Sequence, residues 1–338
     1  MRRRQSEMGG KGRGAIRSIL FVIAVSMASC IIGYLCVMIF TRRPQTFGGS
    51  QLHSMGNFVE EEDDNTECCR GIDHLELWGE VVKWGTDFKF SNKEECCSAC
   101  KDMCKVAAGP CLCNSWVFCG DKKMCKDKFG ECWLKMQNDA LMPETRQGDD
   151  SVEWTSGLIF GKEEGIIGLH TEYGTLHVKL FPECAPYSVV YITALLGIHH
   201  CVGCQIYRAE NRGFNWDING NHIPDASIGP PYALIQGTLE AEGFPFKDIP
   251  KETCPKIRRG SVAWIGSGPE FIISLANHNE WKRKYTVFGS VLPEDMDIAE
   301  KIVNLPTNSD VWSNIQVSVL NKSIPLKLER PEKKQKLF

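Results

Sequence analysis

Cysteine is the residue type with the most chemistry to offer in this chain, and its distribution decides which chemistry that is. Of 17 cysteines in 338 residues, eleven fall in one block: Cys68, Cys69, Cys96, Cys97, Cys100, Cys104, Cys111, Cys113, Cys119, Cys125 and Cys132. Structural zinc sites use paired C-x2–4-C knuckles. The adjacent pairs Cys68-Cys69 and Cys96-Cys97 break that pattern, so no metal is expected. Disulfides stapling a small domain in an oxidising compartment suit this density. Eleven is odd, so at least one of these cysteines stays free or pairs outside the block, and spacing alone does not fix the connectivity.

Four smaller groupings carry weaker chemistry. His199-His200-Cys201-Val202-Gly203-Cys204 contains a C-x-x-C, but a redox motif opens a helix in a βαβ context and this one leads into a strand. A loop disulfide or two buried thiols is the expectation. Asp217, Asn219 and Asn221 are spaced like the start of a calcium loop, yet the glycine is misplaced and no glutamate follows at the required distance. His170 and His177 sit on predicted strands as ordinary side chains. The triplet Asn321-Lys322-Ser323 is a glycosylation sequon. Nothing calls for a cofactor.

The elements that would position these residues divide the chain. In the cysteine block, Ser91 is the expected N-cap of a helix whose acidic first turn, Glu94-Glu95, suits the helix dipole. Cys96, Cys97, Cys100 and Cys104 then recur at helical spacing. Cys113 to Cys119 alternates like a strand, and Glu131–Lys135 reads as another, so a helix stapled onto a small sheet is expected. From Gly165 the pattern changes to strands and turns. Ile166–Glu172 and Thr175–Phe181 form a hairpin, and a helix follows over Tyr187–Leu196 after prolines placed where they are tolerated. Strands are predicted at Gln205–Arg208, Ala233–Gly237, Gly260–Trp264, Phe271–Leu275, Thr286–Val291 and Ile315–Val319, and a second helix at Met296–Asn304. Many strands with two helices imply a mainly β fold, a closed β-barrel capped by two helices.

Ser18–Thr41 is uncharged and proline-free, and long enough to span a hydrocarbon core of roughly 30 Å as a helix. A cleaved signal peptide has a shorter apolar core, about 7–15 residues, and Arg42-Arg43-Pro44 is a poor cleavage site. The basic excess before the span predicts a cytosolic N-terminus. The expected layout is a cytosolic basic tail (1–17), a transmembrane signal anchor (18–41), an acidic flexible stem (42–66), a disulfide-rich domain (67–160), a barrel (164–325) and a charged tail (326–338). The expected topology is type II, with the C-terminal domains lumenal or extracellular. The net charge of −3 gives no reason to expect a nucleic-acid partner.

The stretches ECCSAC, CNSWVFC and GECWLK and the closing Trp154-Thr155-Ser156-Gly157 resemble the PAN/apple family, especially its plant form, over residues 67–160. The resemblance implies a small α+β module that binds a protein or carbohydrate and is not an enzyme. Residues 164–325 resemble the cyclophilins, through GTLHVKLFPECAPYSVVYI, Ile206-Tyr207-Arg208, Leu234-Ile235-Gln236-Gly237, Arg259–Trp264, Gly268–Ile273, Trp281 to Val291 and Met296–Ile302.

That second resemblance implies isomerisation of the bond before proline, with Arg208 as the catalytic guanidinium and Gln236 positioning the peptide. Leu234, Ala263, Ile272, Trp281 and Tyr285 would line the proline pocket. Ala233, Ile272 and Tyr285 depart from the family pattern, which has aromatic residues at the first two places and a histidine at the third. Some twenty extra residues follow Arg208, and these could bring Phe214 or Trp216 to the pocket or block it. The expectation is a membrane-anchored lumenal isomerase acting on proline-containing polypeptides. The alternative is a catalytically weak or inactive peptide- or protein-binding module paired with the PAN/apple-like domain. Golgi placement follows only from the similar layout of anchored plant cyclophilins, and endoplasmic reticulum and plasma membrane also fit.

Overall fold

The computed structural model describes residues 68–105, 111–198, 201–252 and 255–331. The expected cytosolic tail, membrane span and stem lie outside the described residues, as do His199 and His200. Among the described residues no helix is long and apolar enough to cross a membrane.

The cysteine block builds around a helix, α1 (Lys93–Lys105). Its cap is Asn92 rather than the expected Ser91. The Asn92 Oδ1 accepts from the backbone N–H of Glu95 at 2.9 Å, while the Glu95 carboxylate reaches back to the backbone N–H and hydroxyl of Ser91. This is the reciprocal logic of a capping box, displaced by one residue. Around α1 lie β1 (Ile72–Asp73), β2 (Leu75–Leu77), β3 (Glu80–Lys83), β4 (Ser115–Phe118), β5 (Cys132–Met136), β6 (Thr145–Gly148) and β7 (Thr155–Leu158). A five-stranded sheet runs β1-β7-β4-β5-β3, with β2 and β6 paired separately. At its centre Trp116 is fully buried. A side chain at Gly157, opposite Trp116 on β7, would meet the indole ring at 2.5 Å, so the absent Cβ makes room for the ring.

All fourteen cysteines among the described residues are disulfide-bonded. Cys69–Cys97, Cys96–Cys132, Cys100–Cys113, Cys104–Cys111 and Cys119–Cys125 staple the block internally. Cys201–Cys204 closes a loop. The odd cysteine is Cys68, which pairs with Cys184 across a sequence separation of 116.

The remaining strands form one ten-stranded antiparallel sheet. They are β8 (Ile166–Thr171), β9 (Gly174–Leu180), β10 (Gln205–Glu210), β11 (Leu234–Thr238), β12 (Ser261–Trp264), β13 (Glu270–Ser274), β14 (Thr286–Val291), β15 (Thr307–Trp312), β16 (Ile315–Pro325) and β17 (Lys327–Glu329). The order is β15-β16-β10-β11-β13-β12-β14-β9-β8-β17. Two helices join it, α2 (Pro186–Leu196) and α3 (Met296–Val303). The expected closed barrel is not found: among the described residues the strands pair in an open order, from β15 to β17. β16 pairs β10 on one flank and β17 pairs β8 on the other, and the two strands are joined through Leu326, whose N–H donates to the Cys204 carbonyl at 2.9 Å. β16 thus passes into β17 by continuous backbone, and among the described residues no strand pair joins the two flanks. Residues 327–329, expected in the charged tail, form β17 against β8. The strand expected from Ala233 begins one residue later, because Ala233 has a φ of 50°, in the left-handed region.

The two halves share contacts and a core. One apolar cluster contains Val117, Trp154 and Phe160 of the first half and Ile167, Leu180 and Trp264 of the second. The Arg70 N–H donates to the Glu183 carbonyl at 2.8 Å, and Arg330 pairs with Asp139 at 2.6 Å. The Lys179 ammonium points into the connecting segment and donates to the carbonyls of Phe160, Gly161 and Glu164. Burial pushes its pKa down to about 8. At the start of α2, buried Glu252 accepts from the N–H groups of Tyr187 and Ser188 and from the Ser188 hydroxyl. A distant carboxylate therefore serves the first turn where no local cap exists.

In the chain-entropy view a disulfide closing a loop of this length restricts the unfolded state most. Cys68→Ala combined with Cys184→Ala should lower the free energy of unfolding by about 2–5 kcal/mol, read by denaturant unfolding under oxidising conditions. The short-range bridge Cys119–Cys125, removed in the same way, should cost less. Equal losses would show that loop length is not what makes the long bridge stabilising.

Candidate active site

Antiparallel register brings residues distant in sequence into one row. Arg208 on β10 faces Gln236 on β11, Gln236 faces Ile272 on β13, Ile272 faces Ala263 on β12, and Ala263 faces Val287 on β14. Directly opposed residues point to the same face of a sheet, so polar chemistry at one end of this row grades into apolar surface at the other. Residues on the opposite face, among them Ile206, Ile235, Ile273 and Val262, belong to the main core.

At the polar end, Nη1 of Arg208 donates to Oε1 of Gln236 at 2.7 Å, and Nε donates to Oε1 of Glu210 at 2.9 Å. Nη2 lies 2.8 Å from the same Glu210 oxygen. Glu210 is 1% exposed, and its other oxygen accepts the Tyr232 N–H at 2.7 Å. The guanidinium carbon sits 5.5 Å from the centre of the Trp312 ring, within cation–π range. Nε2 of Gln236 donates to the Tyr207 hydroxyl at 2.9 Å and to Glu270 at 3.3 Å. Burial pushes the Glu270 carboxyl up. Arg208 is therefore fixed in orientation, and its five donors are not exhausted by these contacts.

At the apolar end, Leu234, Ile257, Ala263, Ile272 and Val287 form a small buried cluster separate from the main core, with Phe181, Tyr232, Ile265, Trp281 and Tyr285 packed partly buried against it. Trp281 lies 5.2 Å from Tyr285 and 6.0 Å from Tyr232, ring centre to ring centre. Burial pushes the Tyr285 phenol up. Beneath Trp281 the His278 imidazole stacks at 3.6 Å. His278 is fully buried, with Nδ1 at 2.6 Å from Glu280. A fixed cationic donor beside an apolar shelf can hold an apolar ring and polarise an amide next to it.

Residues 166–323 match the family model described as cyclophilin type peptidyl-prolyl cis-trans isomerase/CLD. The match supports a divergent cyclophilin-type domain. Curated relatives are distant. Peptidyl-prolyl cis-trans isomerase-like 3 of Gallus gallus is 26% identical over 151 residues, covering 43% of this chain and 86% of the relative. Its counterpart in Rhizopus delemar is 29% identical over 147 residues, covering 40% and 82%. Peptidyl-prolyl cis-trans isomerase 10 of Caenorhabditis elegans is 25% identical over 165 residues, covering 47% and 94%. A similar solved structure is a cyclophilin type isomerase of Cryptosporidium parvum in the presence of the dipeptide Ala-Pro, at 18% identity and a TM-score of 0.35, covering 50% of this chain and 99% of that one.

Within residues 166–323 the structure brings together Arg208 and Gln236, and beside them Leu234, Ala263, Ile272, Trp281 and Tyr285. It does not bring Phe214 or Trp216 to the cluster. Phe214 is 94% exposed, and Trp216 is buried with its ring against His278 at 4.7 Å. The inserted segment supplies Tyr232 instead, a residue that sequence reasoning missed although it is the last aromatic before the strand. Glu210 was also missed, two positions after Arg208 and therefore on the same face, as were Tyr207 and Trp312.

The weaker groupings take structural roles. Asp217 accepts from the N–H groups of Asn219 and Asn221 and shapes the inserted loop. His170 contacts Thr175 and His177 contacts Asp295. Asn321 is exposed, where residues 320–323 bulge between Val319, opposite Arg208, and Ile324, opposite Ile206.

Burial lowers the His278 pKa below its ordinary 6.5, against the pull of Glu280. The unfolded chain takes up this proton near pH 6.5 while the folded chain resists it, so stability falls as pH drops from about 6.5 toward the lowered folded value. Denaturant unfolding from pH 7 to pH 5 should show a steeper loss for the native sequence than for His278→Phe. Parallel curves would mean that the imidazole is not held neutral beneath Trp281.

Proposed function

We propose that this chain is a membrane-anchored peptidyl-prolyl cis-trans isomerase acting on X-Pro bonds of proteins folding in the secretory lumen. The observation that carries the reading is Arg208, held by Glu210 and Gln236 at the edge of the Leu234, Ala263, Ile272, Trp281 and Tyr285 shelf. The barrier to rotation about a peptide bond, roughly 18–20 kcal/mol, comes from amide resonance. A guanidinium donor beside the prolyl nitrogen favours the twisted state, in which the nitrogen lone pair is localised and can accept a hydrogen bond. The apolar shelf holds the ring while the chain rotates. Because Arg208 is oriented before substrate arrives, its stabilisation is spent on the transition state rather than on reorganisation.

The lumenal setting rests on the uncharged span Ser18–Thr41, the basic residues before it, and a disulfide density suited to an oxidising compartment. Golgi residence is the favoured placement. Residues 67–160 would act as a PAN/apple-like module that binds a protein or carbohydrate and brings clients to the isomerase. Asn321 is an accessible acceptor for glycosylation in that setting.

A second reading has its own support. Leu234, Ala263 and Ile272 are 3%, 0% and 2% exposed, so the shelf is covered, and the Gln236 amide is engaged by Tyr207 and Glu270. Both features favour a peptide-binding module of reduced catalytic power.

An NMR exchange assay on the full chain, with Ala-Pro-type peptides, separates the two readings. Catalysed exchange should fall by about 10²–10³ in Arg208→Ala, the cost typical of losing one preorganised donor. Glu210→Gln should lose a smaller part, because it frees the guanidinium without removing it. Native activity no higher than that of the alanine variant would sink the enzyme reading.

A further inference from the structure

The segment between Glu210 and Tyr232 shows water more apolar surface than its own folding requires. Phe214 is 94% exposed, Ile218 74%, Ile228 69% and Ile223 38%. The backbone beneath them is well fixed. The Asp217 carboxylate gathers two N–H groups of its own loop, Asn277 bonds to Asn221 at 2.8 Å and to the Gly220 carbonyl at 2.7 Å, and the Ile223 N–H donates to the Asn215 carbonyl at 2.9 Å. Trp216, 4% exposed, anchors the loop on His278, the ring that carries Trp281. Single exposed apolar side chains are ordinary on protein surfaces, but four on one anchored loop mark a surface awaiting contact.

Both ends of this loop issue from the candidate active site. It leaves β10 three residues after Arg208 and returns at Tyr232, whose N–H is held by Glu210. A Cβ built at Gly213, next to Phe214, would lie 2.7 Å from the Pro231 ring, so the two ends run side by side next to Tyr232. An extended chain advances roughly 3.3 Å per residue, so a polypeptide with its proline at Arg208 needs only a few residues to reach the base of this loop, where Phe214 stands.

We propose that Phe214, Ile218, Ile223 and Ile228 form a docking strip for apolar residues flanking the proline of an extended client, giving this domain a preference for X-Pro bonds in apolar sequence. The inference rests on the isomerase reading for its substrate. It deepens that reading by assigning selectivity to residues outside the catalytic constellation.

The test compares two proline peptides of equal length, one with Leu and Phe around the X-Pro bond and one with Ser and Gln. They are measured by NMR exchange on the full chain and on the variant Phe214→Ser/Ile218→Ser/Ile228→Ser. The native chain should favour the apolar peptide in kcat/KM by at least about tenfold, roughly 1.4 kcal/mol of discrimination. The variant should lose most of that ratio and keep its rate on the polar peptide. Loss on both peptides alike, no loss, or self-association of the native chain that the variant abolishes would overturn the proposal. If neither peptide turns over faster than with Arg208→Ala, the isomerase reading fails and peptide Kd becomes the readout. Tighter binding of the apolar peptide, weakened in the variant, then supports the strip, and equal Kd values sink it.

Discussion

The Arg208–Glu210 pair is the interaction around which this site is built. A carboxylate with 1% exposure is costly to keep ionised unless a cation and further donors answer it. Glu210 receives the guanidinium on one oxygen and the Tyr232 N–H on the other. The first contact fixes Arg208 in the plane where Gln236 can accept from it. The second fixes the end of the inserted segment, and so sets where the Tyr232 ring meets Trp281. Removing either partner would leave a buried charge uncompensated, with effects at both the polar and the apolar ends of the row. The pair also neutralises Arg208 from below while Trp312 covers one face, so the remaining donors are aimed by the protein and not by solvent.

The first half of the described structure has a different foundation. Its own core is small and cysteine-rich, gathered around Trp116 with Cys96, Cys97, Cys100, Cys113 and Cys132. Small folds that cannot bury enough apolar surface rely on such staples. Cys68–Cys184 extends this to the second half. It lies near the Arg70 to Glu183 hydrogen bond and close to the first turn of α2, whose N–H groups are held by Glu252. Lys179 serves the same junction from the other side, since a buried ammonium with three carbonyl partners tolerates little movement of the connecting segment. The candidate site therefore belongs to a frame held partly by the cysteine block.

What the sequence revealed and what it hid follow from how far each interaction reaches along the chain. Alternation within β10 to β14 is local, and it placed most strands to within a few residues. The row from Arg208 to Val287 depends on register, which no short window contains, and it became legible only through family resemblance. Cys184 as the partner of Cys68 had no local signal, since it stands alone before α2. The choice of Asn92 over Ser91 turned on which residue Glu95 could reach, a difference of one position. β17 was hidden because it is short and lies in a charged tail. Tyr232 was obscured by the louder aromatics Phe214 and Trp216, and only the tertiary fold shows that the first faces water and the second supports His278.

The departures from the family pattern now have a physical meaning. Ala233 and Ile272 remove two aromatic walls, yet the shelf is not left open. Tyr232 and Tyr285 both contact Trp281 and pack, half-buried, against the cluster. On the isomerase reading, a proline ring bound at Ile272 and Ala263, which are 2% and 0% exposed, would have to displace side chains that cover them. Binding would then be coupled to a side-chain rearrangement, and apparent affinity would scale with the fraction of molecules already open. Contacts made away from the shelf would offset that cost, because they add binding energy without requiring the shelf to open. On this argument the exposed apolar side chains of the insertion and the covered proline shelf are two parts of one arrangement. A closed pocket is tolerable in a domain that first engages its client elsewhere.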